Sequence, residues 1–495
     1  MRFEFHFSRE APDTGTAPRG AAPMRLLVMA DLSGRAGRAD DVPGGGLGDR
    51  PLLPVDHETL GAVFARCAPR LTFRPGDVGG PELTIDFDHP DDFHPDELFR
   101  RLGLFEALRA TRERLRDPAT SKVTAAELGG GGAPVVEPGN VEDDAETIGR
   151  LLGSAPADLA SARIEGRTRE DVRRFVSALI APHVVVTPDP RQDELVAWVD
   201  RAIGAQMRAL LHAPAFQALE STWRSVERLV SEVETGGEIE IVLLDVSRPE
   251  LEADIAVVGA DLERSQLYRL LVERAGPWTL IVGAYTFGVE PGDVALLGAL
   301  GAIASRAGGP FIAAAAPALL GCRSLAATPD PREWQPPGGE AATRWDALRA
   351  SPWARWIGLA LPRVLMRLPY GALTAPTERF TFEELAPGRD HEDYLWGHPA
   401  FACATLLARS FRDRGWAMSP GDDLELGGLP AHTIREGGES SLQPCAEVLL
   451  TERALGAILE RGLMPFMSFP DRDAVRLVRF QSLADPPAAL AGAWT

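Results

Sequence analysis

Between residues 236 and 315 the chain alternates between short apolar runs and longer amphipathic ones, an order that few folds accept. The run "EIEIVLLDVS" reads as a strand, 249–275 as a helix, "WTLIVGAYTFG" as a strand, 291–307 as a helix and "PFIAAAA" as a strand. Strands separated by whole helices cannot close as hairpins, so each return must cross a face of the sheet. The pattern predicts parallel strands joined by right-handed crossovers, the α/β class.

Upstream, the signals change. Residues 2–8, "RFEFHFS", alternate apolar and polar, placing Phe3, Phe5 and Phe7 on one face and Arg2, Glu4 and His6 on the other. A Gly/Pro/Ala-rich stretch follows to residue 23 and reads as a tether. An isolated strand on a tether can complete the edge of another sheet, such as a neighbour's, or remain a disordered tail. Residues 24–117 suggest a small α+β domain, with strands at "MRLLVMADL", "LTFRP" and "ELTIDFD" and a helix over 95–115. That helix carries more apolar surface than so small a domain can bury, so it is expected to pack on the second half. Residues 118–145 hold four consecutive glycines and an acidic run and read as a linker. Residues 146–235 form a helical segment, with helices expected at 167–187 and 191–230. Residues 236–495 form the larger α/β domain.

The chain has 495 residues and a net charge of −20, against the basic surplus that nucleic-acid phosphates require. Its four cysteines, Cys67, Cys322, Cys403 and Cys445, are widely spaced and fit a reduced, cytoplasmic protein. No signal peptide is visible at the start of the sequence. The apolar run 311–320 is too short to span a membrane and contains Pro317. The glycine clusters at 44–48 and 129–132 lack the Lys-Ser/Thr of a phosphate loop, and no G-x-S-x-G elbow is present. His89, Asp91, Asp92, His94 and Asp96 crowd one loop, which suits a metal or, equally, capping and solvation. The Arg-rich word "LPRVLMRLPYG" (361–371) could hold an anion, although loop-fixing ion pairs are the commoner use of such arginines. The motifs carry no chemistry, so no cofactor or metal is expected and a structural role comes forward.

Within "FQALESTWRSVERLV" (216–230), Ala218, Leu219, Trp223, Val226 and Val230 fall on one helical face, and Arg224 stands beside Trp223. Trp and Arg together are anchors of protein interfaces, and core packing within one protomer accounts for the same pattern.

That word, with "LLDVSRPELEADI", "PWTLIVGAYTFG", "WIGLALPRVLMRLPYG", "YLWGHPAFACATLLARSF", "RGLMPFMSF" and "FQSL", resembles in order the large subunit of the type VI secretion contractile sheath. Residues 24–117 resemble the small sheath subunit, through "MRLLVMADLSGR" and "DFHPDELFRRLGLFEALRATRERL". The resemblance implies a fusion of the two subunits. It implies a non-enzymatic cytoplasmic protomer that polymerises with copies of itself around, or at the end of, an inner-tube protein. It also implies possible contacts with baseplate proteins and a recycling AAA+ ATPase. The segment that such an ATPase would seize corresponds to "ETIGRLLGSAPADL" (146–159), with Ile148, Leu151 and Leu152 as its apolar stripe; a helix packing on its own domain is the alternative. Three departures stand out: His398 replaces an expected Asn, no acidic residue precedes Tyr285, and the family's large subunit continues well past "FQSL". They keep open a sheath cap, baseplate-side or assembly accessory role, and an α/β enzyme with an unmarked site is the rival from another class.

Overall fold

A computed structural model of the chain describes residues 3–7, 22–37, 46–73, 83–117, 120–121, 123–124, 192–233, 237–385, 390–436 and 439–494. The chain divides into two compact units.

The first unit comprises residues 1–67, 219–368 and 395–495. Its core is a mixed sheet in which the described strands run Glu425–Leu426, Val475–Leu477, Met464–Ser468, Ile357–Leu361, Phe311–Ala315, Leu280–Phe287, Met24–Ala30, Ile239–Asp245 and Leu53–Val55. The six from Met464–Ser468 to Ile239–Asp245 are parallel, and antiparallel strands close both sides. The α/β class expected from the alternation is what forms.

The strand Met24–Ala30 does not belong to a separate small domain. It pairs with Ile239–Asp245 on one side, Met24 opposite Ile239, and with Leu280–Phe287 on the other, Leu26 opposite Leu280. The physical reason lies in "MRLLVMA": all but Arg25 are fully buried, and a strand apolar on both faces needs layers above and below it. Burying its five large apolar side chains is worth about 10 kcal/mol before entropy is counted.

The period of two sorts the sheet's side chains onto two faces. Leu27, Met29, Val242, Leu244, Ile281, Phe311, Ala313, Ile357 and Leu359 belong to one buried cluster with the helix Pro291–Ala307. That helix is buried nearly all round, and Gly301 lets it approach: a Cβ there would stand 2.6 Å from Ile357 Cδ1 and 3.1 Å from the Trp353 carbonyl. The helix Pro399–Arg414, likewise mostly buried, packs on the same central strands.

Elsewhere the helices are shorter than the periodicity suggests. The helix expected over 249–275 stops at Val258, because Gly259 turns the chain out with φ +58. The chain resumes at Gln266, where the Asp254 carboxylate accepts from the Gln266 and Leu267 amides and the Ser265 hydroxyl. The span 191–230 is two helices, Gln192–Leu211 and Pro214–Glu232, since proline at the start of the second cannot continue the first. The helix expected over 167–187 lies outside the described residues.

The second unit comprises residues 68–218 and 369–394. It contains the hairpin Arg70–Phe73/Leu83–Asp86 and the helices Pro95–Arg101, Gly103–Arg116 and Gln192–Leu211. The span expected as one helix over 95–115 breaks at Leu102, which is extended. Gly103–Arg116 packs along Gln192–Leu211, with Arg112 paired to Asp200. Phe99 stacks on Phe380 at 4.5 Å, and the Asp96 carboxylate accepts the Glu378 and Arg379 amides at 2.9 and 3.0 Å. The expected packing of this helical stretch on the second half of the sequence is therefore present. The expected domain at 24–117 is instead shared between both compact units.

Candidate functional site

Open parallel sheets offer ligands a crevice at the carboxyl ends of the strands where the order reverses. Here Met24–Ala30 is followed in chain order by parallel strands first on one side and then on the other, so the reversal lies beside its end. The chain fills that place with its own side chains. The Asp245 carboxylate accepts from the Leu32 and Ser33 amides at 2.8 and 3.1 Å, the Ser33 hydroxyl at 2.7 Å and Arg35 Nε at 2.7 Å. Arg50 donates to the Asp245 carbonyl at 2.9 Å and pairs with Glu250. The Tyr285 hydroxyl reaches over the end of Met24–Ala30 and donates to the Val246 carbonyl at 2.7 Å.

The electrostatics follow from these contacts. Burial pushes the Tyr285 phenol well above its usual value, and the charges of Asp31, Asp245 and Glu250 add to this. Burial raises Asp31 against the pull of the Ala36 and Arg35 amides, and Asp245 and Glu250 raise it further. Burial would raise Glu250 too, but Arg50 and the Ser247 amide and hydroxyl bring it down to about 2. Perturbed groups of this kind often mark catalysis. Here each of Asp245, Glu250 and Tyr285 is engaged by a partner from the same chain, and the cluster ties strand ends together. "SRPE" (247–250) is a capping box in sequence, with Glu250 accepting the Ser247 amide at 2.9 Å. It was the one available signal for this cluster.

His398 closes the crevice from the start of Pro399–Arg414. Its Nδ1 accepts from the Ala400 amide at 3.4 Å, which leaves the proton on Nε2 to be donated to the Tyr285 carbonyl at 3.0 Å. Burial holds its pKa down at about 4, so the ring is neutral. An Asn offers the same acceptor and donor, so the exchange of Asn for His at this cap is chemically conservative.

Trp223 is 2% exposed. Its Nε1 donates to the Leu32 carbonyl at 2.9 Å, and its ring lies 4.6 Å from Phe64. Arg224 points elsewhere, to Glu220 Oε1 at 2.8 Å. Glu220 is fully buried and also accepts from Arg367 Nε at 2.9 Å. Arg363 is bound by Glu447 through its amide and its Nε, both at 2.8 Å. The arginines of "LPRVLMRLPYG" thus fix loops.

Residues 3–7 pair with no described strand. Phe3, Phe5 and Phe7 turn inward and Glu4 and His6 outward, as the alternation predicts. Rather than a sheet edge, they meet a groove of their own unit. Phe7 lies 5.6 Å from Trp353 and 5.9 Å from Tyr268, with the Arg306 guanidinium 4.2 Å over its ring. Phe5 lies 6.2 Å from Trp353. A Cβ on Gly298 would meet the Phe3 ring at 2.8 Å. Ile148, Leu151 and Leu152 lie outside the described residues.

In the second unit the His/Asp loop is a set of caps. His89 Nδ1 accepts the Asp91 amide at 3.3 Å, His94 Nδ1 the Asp96 amide at 3.2 Å, and Asp92 the Asp88 and His89 amides at 2.7 and 3.0 Å. Nearby, His212 Nδ1 lies 3.0 Å from Asp393 and its Nε2 3.7 Å from Glu384. Burial works against its charge, yet these carboxylates raise its pKa to about 9. No described helix is long and apolar enough to cross a membrane.

Comparison with known proteins gives two family matches within the one chain. Residues 193–484 match VipB, described as EvpB/VC_A0108, tail sheath N-terminal domain. Residues 12–127 match the family described as type VI secretion system, VipA, VC_A0107 or Hcp2. The chain is also similar to the type VI secretion system sheath protein TssC1 of Pseudomonas aeruginosa, 33% identical over 311 residues. That alignment covers 59% of this chain and 61% of TssC1, less than two thirds of the relative's length.

Proposed function

This chain belongs to the VipB tail sheath family, and on that premise we propose that it is a structural building block of a type VI secretion sheath. In this reading it is a cytoplasmic fusion of small and large sheath subunits that assembles with its own copies around, or at the end of, an inner tube. The observation that carries it is the interleaving of the two family stretches. Met24–Ala30, from the VipA-like stretch, sits between two strands of the VipB-like stretch. One chain therefore supplies what a two-subunit protomer would otherwise assemble.

A non-enzymatic role is supported by the strand-end crevice. The place where an α/β sheet would seat a substrate holds Arg35, Arg50, Tyr285 and His398, bound to the protein's own backbone and carboxylates. Electron microscopy of the purified chain tests the assembly: tubes or stacked rings are expected. Particles that stay monomeric at every concentration would refute it, and short caps that bind only at tube ends would favour the accessory role. Contact with baseplate proteins and an ATPase belongs to the same proposal. Leu151→Asp is expected to abolish ATPase binding while the far-UV circular dichroism stays unchanged. Unaltered binding would remove residues 146–159 from that role.

A further inference from the structure

We propose that the outer edge of the strand Leu83–Asp86 is a docking site for an extended, arginine-bearing segment of a partner protein, which adds a strand to the hairpin. The hairpin's register decides which main-chain groups face outward. Arg70 stands opposite Asp86 and Thr72 opposite Thr84. The Phe87 amide donates to the Pro69 carbonyl at 2.9 Å, so Pro69 and Phe87 extend the register as a hydrogen-bonded pair. Bonded and non-bonded pairs alternate along an antiparallel ladder. Leu83 and Ile85 therefore bond inward, to Phe73 and Leu71, while Thr84 and Asp86 turn their amides and carbonyls outward. The Thr72 and Thr84 hydroxyls lie 3.1 Å apart, as the close side chains of a non-bonded pair should. Among the described residues one outward group is taken: the Asp86 carbonyl accepts from Arg101 at 3.1 Å. The edge of the main sheet, Leu53–Val55, is by contrast blunted by Pro54.

The edge of Leu83–Asp86 is also the wall of a pocket. Thr84 to Asp86 line a cavity of about 180 Å³ with Asp92 and with Leu98, Arg101 and Leu102 from the helix that follows. In a groove between strand and helix, a partner's main chain supplies affinity and its side chains supply specificity. Charge selects the side chain. The twelve residues from Asp86 to Glu97 hold six carboxylates and neither Lys nor Arg. The arginines that reach this stretch, Arg70, Arg100, Arg101 and Arg379, leave it net negative. Asp88 and Asp91 are 86% and 85% exposed, so their charge faces an arriving partner. An arginine fits such a pocket, its aliphatic stem against Leu98 and Leu102 and its guanidinium towards Asp86 and Asp88.

The test uses the full-length protein and a fluorescent, terminally blocked heptapeptide, Ser-Thr-Val-Arg-Val-Thr-Ser, followed by anisotropy. A Kd on the order of 10–100 µM is expected. The signature of strand addition is its phase. Methylating alternate peptide nitrogens in the edge-facing phase is expected to weaken binding at least about tenfold, and methylating the other phase to leave it nearly unchanged. Exchanging the peptide's arginine for glutamate is expected to cost at least about tenfold as well. In the protein, Thr84→Pro removes an outward donor and no ladder bond, and Asp88→Lys reverses an exposed charge. Each is expected to weaken the parent peptide at least about tenfold with the far-UV circular dichroism unchanged. Asp88→Lys and the methylated peptides decide the matter if Thr84→Pro does not fold. No binding at millimolar peptide, equal effects of the two methylation phases, indifference to the glutamate exchange, or undiminished binding to either folded variant would overturn the proposal. Tube formation is scored separately, so the sheath reading and this one can fail independently.

Discussion

Replacing Trp223 by Phe separates two roles that the sequence leaves entangled. If Trp223 holds the protomer together, Trp223→Phe keeps most of the ring but removes the N–H that satisfies the buried Leu32 carbonyl. An orphaned buried acceptor costs about 1–3 kcal/mol. The space left by the smaller ring beside Phe64 adds on the order of 1 kcal/mol. The expected loss is thus about 2–4 kcal/mol. Trp223→Ala adds the loss of the ring itself, about 3–5 kcal/mol for a buried aromatic, and should leave the first unit barely folded. Urea unfolding followed by far-UV circular dichroism reads both values, since helix and sheet are lost together. A Trp223→Phe protein within about 0.5 kcal/mol of the parent, below any of the costs above, would refute the argument. If that same protein failed to assemble, Trp223 would be an interface anchor and its burial incidental.

The two perturbed histidines place opposite limits on stability. His398 has a folded pKa of about 4, below its unfolded value, so its contribution is present above about pH 6.5 and lost as pH falls towards 4. The loss is on the order of 3 kcal/mol at most, and His398→Asn should abolish it in unfolding measured from pH 7 to 4. His212 has a raised folded pKa of about 9, so its contribution is complete below about pH 6.5 and disappears as pH rises through 9. His212→Gln should flatten that alkaline limb in thermal melts; an unchanged limb would contradict the Asp393 pairing. Gly301→Val should cost at least about 2 kcal/mol through its clash with Ile357 and the Trp353 carbonyl, measured by the shift in urea midpoint.

The parallel crossovers were legible because strand and helix lengths alternate plainly between 236 and 315. The position of Met24–Ala30 was not. Its doubly apolar pattern says that it is buried, but its partners lie more than two hundred residues away and no local signal names them. Proximity in sequence favoured a small domain, and tertiary burial won. Helix ends failed where one residue decides, at Gly259, Leu102 and Pro214. Phe3, Phe5 and Phe7 were correctly set on one face, but alternation cannot distinguish a sheet edge from a groove beside a helix. The crevice cluster was hidden because Arg35, Arg50, Asp245 and Tyr285 converge from four separate stretches, and only the capping box around Glu250 is local.

The place of Met24–Ala30 also governs how the protein is made. Arg25 and Glu240 are ladder neighbours separated by 215 residues, and the flanking strand on the other side comes later still. At a synthesis rate of about 5–20 residues per second, this apolar strand waits about 10–40 s after emerging from the ribosome before its first parallel partner exists. Closing so long a loop is slow, and an unpaired apolar strand is a template for aggregation in the meantime. Carrying the VipA-like and VipB-like stretches in one chain removes the search for a partner in solution. In exchange, the nascent chain depends on whatever shields that strand until translation passes Asp245.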